Sequence, residues 1–162
     1  MPDWISHIIL GLIVAELFPG NKKSLIVLGS LLPDILLKAY LLGLLFPVHT
    51  FTLTALLIPF HTPIGMAITS LFIAPFFKTD QRKTYISLFL GWASHLLLDM
   101  TNHHAITTEN LIFFPFSWRS VELGLFSPTQ YYIPLFALLI VYLTIQGYKK
   151  RRRKKTWMPS IS

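Results

Sequence analysis

The sequence predicts an all-α integral membrane protein, a helical bundle of about five hydrophobic segments. Hydrophobic residues make up 53% of its 162 residues and charged residues only 13%, about half the charged share of a soluble domain. No Asp, Glu, Lys or Arg occurs between residues 39 and 77 or between 123 and 148. Because a membrane-spanning helix needs about 20 mainly apolar residues, each of these runs is long enough to cross a bilayer.

The five segments follow from apolar runs and from the residues that interrupt them. The first two flank PGNKK (19–23), a Pro/Gly turn followed by two lysines. Pro33 cannot donate a hydrogen bond to the carbonyl of Gly29, so segment two is expected to kink or break there. Thr62 can cap segment three, and Pro63 suits its first turn. The expected segments are about 4–18, 24–46, 62–77, 84–101 and 129–148, all within one domain of residues 1–148.

Basic residues predict how the chain is oriented in the cell membrane. The net charge of +7 comes from one run, KKRRRKK at 149–155, because the other seven basic residues balance the seven acidic ones. Positively charged loops and tails stay on the cytoplasmic side. This rule places the tail (149–162), the loop KTDQRK (78–83) and the first turn in the cytoplasm. The prediction is therefore a five-pass protein with its N-terminus outside.

Two features predict contact with the surface of the lipid bilayer. The basic tail is expected to attract anionic lipid, whereas nucleic-acid binding by such a tail is the less favoured alternative. Aromatic residues near segment ends are expected to act as interfacial anchors. These anchors are Trp4, Trp92, Trp118, Tyr131 and Tyr132.

Titratable side chains are rare in the apolar segments, and five of them converge on one half of the predicted membrane map. His95 and Asp99 are four residues apart, which places both on one face of a helix. His7 and His61 lie near the outer ends of segments one and three, and Asp34 lies near the middle of segment two. Ionisable groups inside a membrane usually face the interior of the bundle and have a partner there.

These imidazoles and carboxylates can hold a divalent metal ion. A catalytic zinc site uses three such ligands plus a water, and thiolate ligands are excluded because the chain has no cysteine. The alternative is a non-catalytic membrane protein, with a buried hydrogen bond between His95 and Asp99 and a salt bridge from Asp34 to Lys38. Metal transport is disfavoured, since segments three and five offer few polar residues in their inner halves.

Four short motifs surround these residues: SHIILG (6–11), GSLLPDI (29–35), GWASHLLLD (91–99) and FPFSWR (114–119). Over residues 5–120 they resemble the YdjM-like family of membrane-bound metal-dependent hydrolases. That family is grouped with zinc-dependent phospholipases C and fungal single-strand nucleases. The resemblance implies a hydrolase, and the metal ligands that it implies are His7, Asp34, His61, His95 and Asp99.

The sequence departs from the family pattern in its histidines. Where the family has an HR pair shortly before a THS motif, this chain has His49 and His61 twelve residues apart. His103 or His104 could match a further ligand of the soluble relatives, although the spacing is shorter. A later His-x3-Glu pair of those relatives is absent. One or two ions, with Zn²⁺ as the expected metal, are therefore predicted.

A hydrolytic site of this kind needs one group that activates a water molecule and another that binds the substrate. Asp34 or Asp99 would orient or deprotonate a water molecule. Arg119 would bind a phosphate, because its planar guanidinium matches two phosphate oxygens. The predicted position in the outer half of the membrane suits a lipid phosphoester, although another phosphoester is also possible.

Overall fold

The computed structural model describes residues 4–38, 58–103 and 111–156. These ranges contain five α-helices and no β-strand, which confirms the all-α prediction for them. Short 3₁₀ helices lie at Ile58–His61, Ala74–Phe76 and Pro128–Gln130. The α-helices are α1 Trp4–Leu17, α2 Lys23–Lys38, α3 Pro63–Ile73, α4 Gln81–Met100 and α5 Tyr132–Thr156.

Among the described residues, one helix is long and apolar enough to cross a membrane, at Tyr132–Arg153 in α5. α1 and Pro63–Phe76 are apolar but shorter. The 14 residues of α1 reach about 21 Å at the α-helical rise, less than the roughly 30 Å of a hydrocarbon core. Residues 39–46, the rest of predicted segment two, lie outside the described residues. Five membrane crossings therefore stay a prediction.

The predicted break of segment two at Pro33 is wrong. α2 continues through Pro33 to Lys38. A proline inside a helix removes one hydrogen bond and costs about 3 kcal/mol. Pro33 and its neighbours Ser30 and Asp34 are buried, so packing of this part of α2 against the bundle offsets that cost.

Two helices extend beyond the predicted segments. α4 begins at Gln81 rather than Thr84, because the Asp80 carboxylate accepts hydrogen bonds from the backbone N–H groups of Arg82 and Lys83 at 3.0 and 3.3 Å. α5 does not end before the basic run and continues to Thr156. Lys and Arg are good helix formers, and their charges are favourable near a helix C-terminus.

α2 and α4 approach each other until their backbones touch. A Cβ added at Gly29 would lie 2.3 Å from the carbonyl oxygen of Leu88. A Cβ added at Gly91 would lie 2.0 Å from the carbonyl oxygen of Ile26. Any other residue at these positions would force the helices apart, so the two glycines set the distance between α2 and α4.

Glu16, near the C-terminal end of α1, connects α1 to α2 and α5. Its carboxylate accepts hydrogen bonds from the Nζ atoms of Lys23 and Lys149 and, at 3.1 Å, from Nε2 of Gln146. The pKa of Lys23 is raised above its ordinary value, mainly by its hydrogen bond to Glu16. This cluster fixes the start of the basic run against the end of α1.

We expect Glu16→Gln to weaken this connection and to lower the free energy of unfolding by about 1 kcal/mol, because ion pairs whose lysines are partly exposed, as here, are worth a fraction of a kcal/mol each. The loss should shrink as salt screens the charges. Thermal unfolding in detergent at low and high salt measures both effects. Lys150→Gln, which removes an exposed charge one residue beyond Lys149, is the control. Equal unfolding temperatures for the Glu16 variant and wild type at low salt would contradict the prediction.

Candidate metal centre

The structure brings the five predicted ligand residues together from four helical segments. His7 lies in the first turns of α1, and Asp34 lies in the second half of α2. His61 ends the 3₁₀ helix that leads into α3, while His95 and Asp99 lie in the last turns of α4. All five are buried, with relative exposures between 0% and 4%.

Their ligand atoms form two groups that share His95. One group is His7, His95 and Asp99, and the other is Asp34, His61 and His95; in each group the atoms lie within 4.8 Å of one another. The Asp99 carboxylate lies against two imidazoles. Its Oδ2 is 3.0 Å from Nε2 of His95, and its Oδ1 is 3.6 Å from Nε2 of His7.

The imidazole of His95 occupies the centre of the cluster. Its ring stacks on that of His7, with centroids 4.0 Å apart and planes 18° apart. The ring of His61 meets it edge-on at 5.3 Å. The three histidines therefore pack as one unit, although they come from residues far apart in the sequence.

A backbone carbonyl of α2 fixes the orientation of His95. Nδ1 of His95 is 2.8 Å from the carbonyl oxygen of Ser30. Since a carbonyl oxygen can only accept a hydrogen bond, Nδ1 donates it, and Nε2 is the ring nitrogen that faces Asp99. Histidines that ligate metals almost always have an outer-shell partner of this kind. Sequence reasoning did not assign this role to Ser30; its only signal was the position of Ser30 inside the GSLLPDI motif.

Several atoms of the cluster fit a bound cation. Within the described part of the chain, neither ring nitrogen of His61 makes a hydrogen bond, whereas Nε2 of His95 and Oδ1 of Asp99 have only the contacts within the cluster given above. A buried polar atom without a hydrogen bond costs about 1–3 kcal/mol. A divalent ion bound by these atoms would remove that cost, and nitrogen and carboxylate donors suit zinc.

The comparisons with known proteins agree with the motifs. The family model of the YdjM inner membrane protein matches residues 1–161. The chain belongs to the YdjM inner membrane protein family. No curated protein and no solved structure matches it significantly. The family confirms the resemblance and identifies an inner membrane protein.

Other residues that sequence reasoning considered are not brought into the cluster of this YdjM family member. Arg119 is exposed on the segment before α5, and among the described residues its guanidinium makes no hydrogen bond or ion pair with the five side chains. His103 is mainly exposed, and its Nδ1 is 3.3 Å from Oε2 of Glu122. The side chain of Lys38 lies outside the described residues, so the alternative salt bridge from Asp34 to Lys38 stays a prediction. His49 and His104 lie outside the described residues.

An apolar group packs beside the cluster. Trp92 is fully buried and forms a core with Met66 and Leu96. The prediction that Trp92 is an interfacial anchor is therefore wrong. Trp92 lies three residues before His95 on α4, close to one turn away, and it faces the same packed interior.

Proposed function

We propose that this member of the YdjM inner membrane protein family is a membrane-bound, metal-dependent hydrolase acting on a lipid or another phosphoester. The observation that supports this most strongly is the convergence of three histidines and two aspartates into one buried cluster. Burying so many titratable groups is costly unless they are paired or coordinate a metal. Coordination of a divalent ion by these side chains would offset the free-energy cost of burying them.

The five residues would divide the work of such a site. One or two divalent ions, expected to be Zn²⁺, would be held by His7, Asp34, His61, His95 and Asp99. When bound, the ion supplies Lewis-acid activation of water and of a phosphoryl oxygen. The Asp99 or Asp34 carboxylate would orient a water molecule and accept its proton. Arg119, which is exposed on the segment before α5, would bind the phosphate group of the substrate.

The same contacts also support a second candidate, a non-catalytic membrane protein with a structural polar or metal site. The approach of Asp99 to His95 at 3.0 Å and to His7 at 3.6 Å already connects α1 to α4. In that case the cluster would stabilise the bundle, and substitutions would change stability without an enzymatic effect. The two candidates differ in whether an ester is cleaved.

The proposed setting of the site is the cell membrane. We infer that the chain crosses the bilayer several times and that the basic end of α5 lies in the cytoplasm. There, each Lys or Arg near anionic lipid is worth about 1 kcal/mol. Lys150 and Arg151–Arg153 are exposed on this helix, as such a contact requires.

We expect the purified protein to cleave at least one substrate among a phosphomonoester, a phosphodiester and a glycerophospholipid in mixed micelles. A chelator should abolish the cleavage, and added Zn²⁺ should restore it. Asp99→Asn should lower kcat by about 100-fold or more, the typical contribution of a positioned acid–base group. Initial rates measure each effect.

His103→Ala is the matched control, because it removes an exposed imidazole outside the cluster and should keep the wild-type rate. If the wild type contains metal but cleaves none of the three substrate classes, the enzymatic proposal fails and the structural site remains.

A further inference from the structure

The segment between α4 and α5 exposes its largest aromatic side chains. We define residues 111–120 as the aromatic loop. Phe116 is 90% exposed, Trp118 69% and Phe113 59%. Large apolar groups exposed together in this way mark a contact with a partner or a membrane.

The exposure belongs to a folded loop. Backbone N–H groups of Phe114, Phe116 and Ser117 donate hydrogen bonds within the loop, at 3.2 Å to Leu111 and at 2.8 and 3.0 Å to Phe113. The side chain of Leu111 is buried. The ring of Phe114 packs edge-on against that of Trp118 at 5.0 Å. The loop therefore holds its exposed aromatic groups in a defined arrangement.

The chain after the loop is attached to the end of α4 that carries Asp99. The backbone N–H groups of Leu123 and Leu125 donate to the carbonyls of Met100 and Thr101 at 2.8 Å each. The N–H of His103 donates to the carbonyl of Phe126, also at 2.8 Å. The aromatic loop thus belongs to the end of the bundle where the metal centre lies.

Other aromatic residues lie at the same end of the bundle. Trp4 begins α1, one turn before His7. Tyr132 begins α5 and Tyr131 directly precedes it, a few residues after the attachment at Phe126. Each is about half exposed. The exposed apolar side chains of α5, such as Ile140, continue from them along the candidate membrane span. Trp and Tyr are enriched where a membrane protein meets the lipid headgroups.

We propose that the aromatic loop inserts Phe113, Phe116 and Trp118 into the boundary between headgroups and acyl chains, in the leaflet at this end of the bundle. Lipid is the occupant because the loop lies at the same end of the bundle as the half-exposed aromatic residues near the starts of α1 and α5, from which the exposed apolar side chains of the candidate span run. A guanidinium next to an inserted Trp, as at Arg119, would lie at the level of the lipid phosphates. This insertion does not depend on whether the metal centre is catalytic.

The absence of cysteine from the chain allows a direct test. Phe116→Cys carries a nitroxide spin label in the full-length protein, reconstituted into vesicles of phosphatidylethanolamine and phosphatidylglycerol. Collision rates are measured with oxygen, which concentrates in lipid, and with a water-soluble nickel chelate. Ile140→Cys, in the middle of the candidate span, is the lipid reference, and Lys78→Cys, exposed in the loop before α4, is the aqueous reference. Trp118→Cys is a second reporter in the loop.

We expect the labels at residues 116 and 118 to collide with oxygen severalfold more often than with the nickel chelate, as the Ile140 label does. Collision behaviour like that of the Lys78 label would place the loop in water and overturn the proposal. Protection from both reagents would overturn it as well, because the loop would then be covered by protein, either a partner or a second copy of this chain. Phe116 makes no buried contact to lose, and unfolding temperatures near that of wild type will verify that the variants are folded.

Discussion

His95→Ala is expected to remove nearly all metal from the purified protein. His95 belongs to both groups of potential ligands, so its loss damages whichever group holds an ion. Loss of an outer-shell partner alone typically lowers metal affinity 10- to 100-fold, and the loss of a ligand should cost about 100-fold or more. The measurement is the number of metal ions per chain, by elemental analysis after purification without added metal.

Measuring the metal content of variants at the other two histidines of the cluster indicates how many ions bind. His7 occurs in one group and His61 in the other. If two ions bind, His7→Ala and His61→Ala should each remove about half of the metal. If one ion binds, the variant that lacks a histidine of the occupied ligand group should lose most of the metal. The other variant should lose little. His103→Ala should retain the full content. A wild-type protein without metal would show that the cluster is held together by its own contacts. A His95 variant with the wild-type metal content would show that the ion is not bound through His95.

The residues of the candidate site were predictable because each carries a local signal. His95 and Asp99 share a helix face through their spacing alone, and Asp34 and His61 are conspicuous because ionisable groups are rare in apolar segments. The contacts that bring these residues together connect parts of the chain that are far apart in the sequence. The hydrogen bond from His95 to the carbonyl of Ser30 connects residues 65 apart through an atom that every residue possesses, so no side-chain pattern could reveal it.

The errors in the fold have the same origin. Pro33 lowers local helix propensity, but the burial of that part of α2 depends on residues from α4 and outweighs the local effect. Trp92 has the amphipathic side chain of an interfacial anchor, and only its packing with Met66 and Leu96 shows that it lies in the core. Segment five was predicted to end at residue 148, where the charges begin, whereas the basic residues are good helix formers and α5 continues to Thr156.

Gly91→Ala is expected to destabilise the protein strongly. The added Cβ would lie 2.0 Å from the carbonyl oxygen of Ile26, 2.8 Å from the backbone nitrogen of Ser30 and 2.9 Å from Cα of Gly29. These are backbone atoms that cannot move independently, so α2 and α4 must separate. Overpacking of this kind costs about 1–3 kcal/mol or more. Thermal unfolding in detergent measures the loss.

The same separation should reach the metal centre, because Gly91 lies one turn before His95 on one face of α4. Moving α4 away from α2 lengthens the hydrogen bond from His95 to Ser30, and metal affinity should fall about 10-fold or more, as for the loss of an outer-shell partner. Gly147→Ala is the matched control, since a Cβ there has no atom within 4 Å and alanine favours a helix by about 1 kcal/mol. Equal unfolding temperatures and equal metal content for the two alanine variants would show that the glycine contact does not position His95. A Gly91 variant that is less stable but keeps its metal would show that the ligands hold their geometry without the α2 carbonyl.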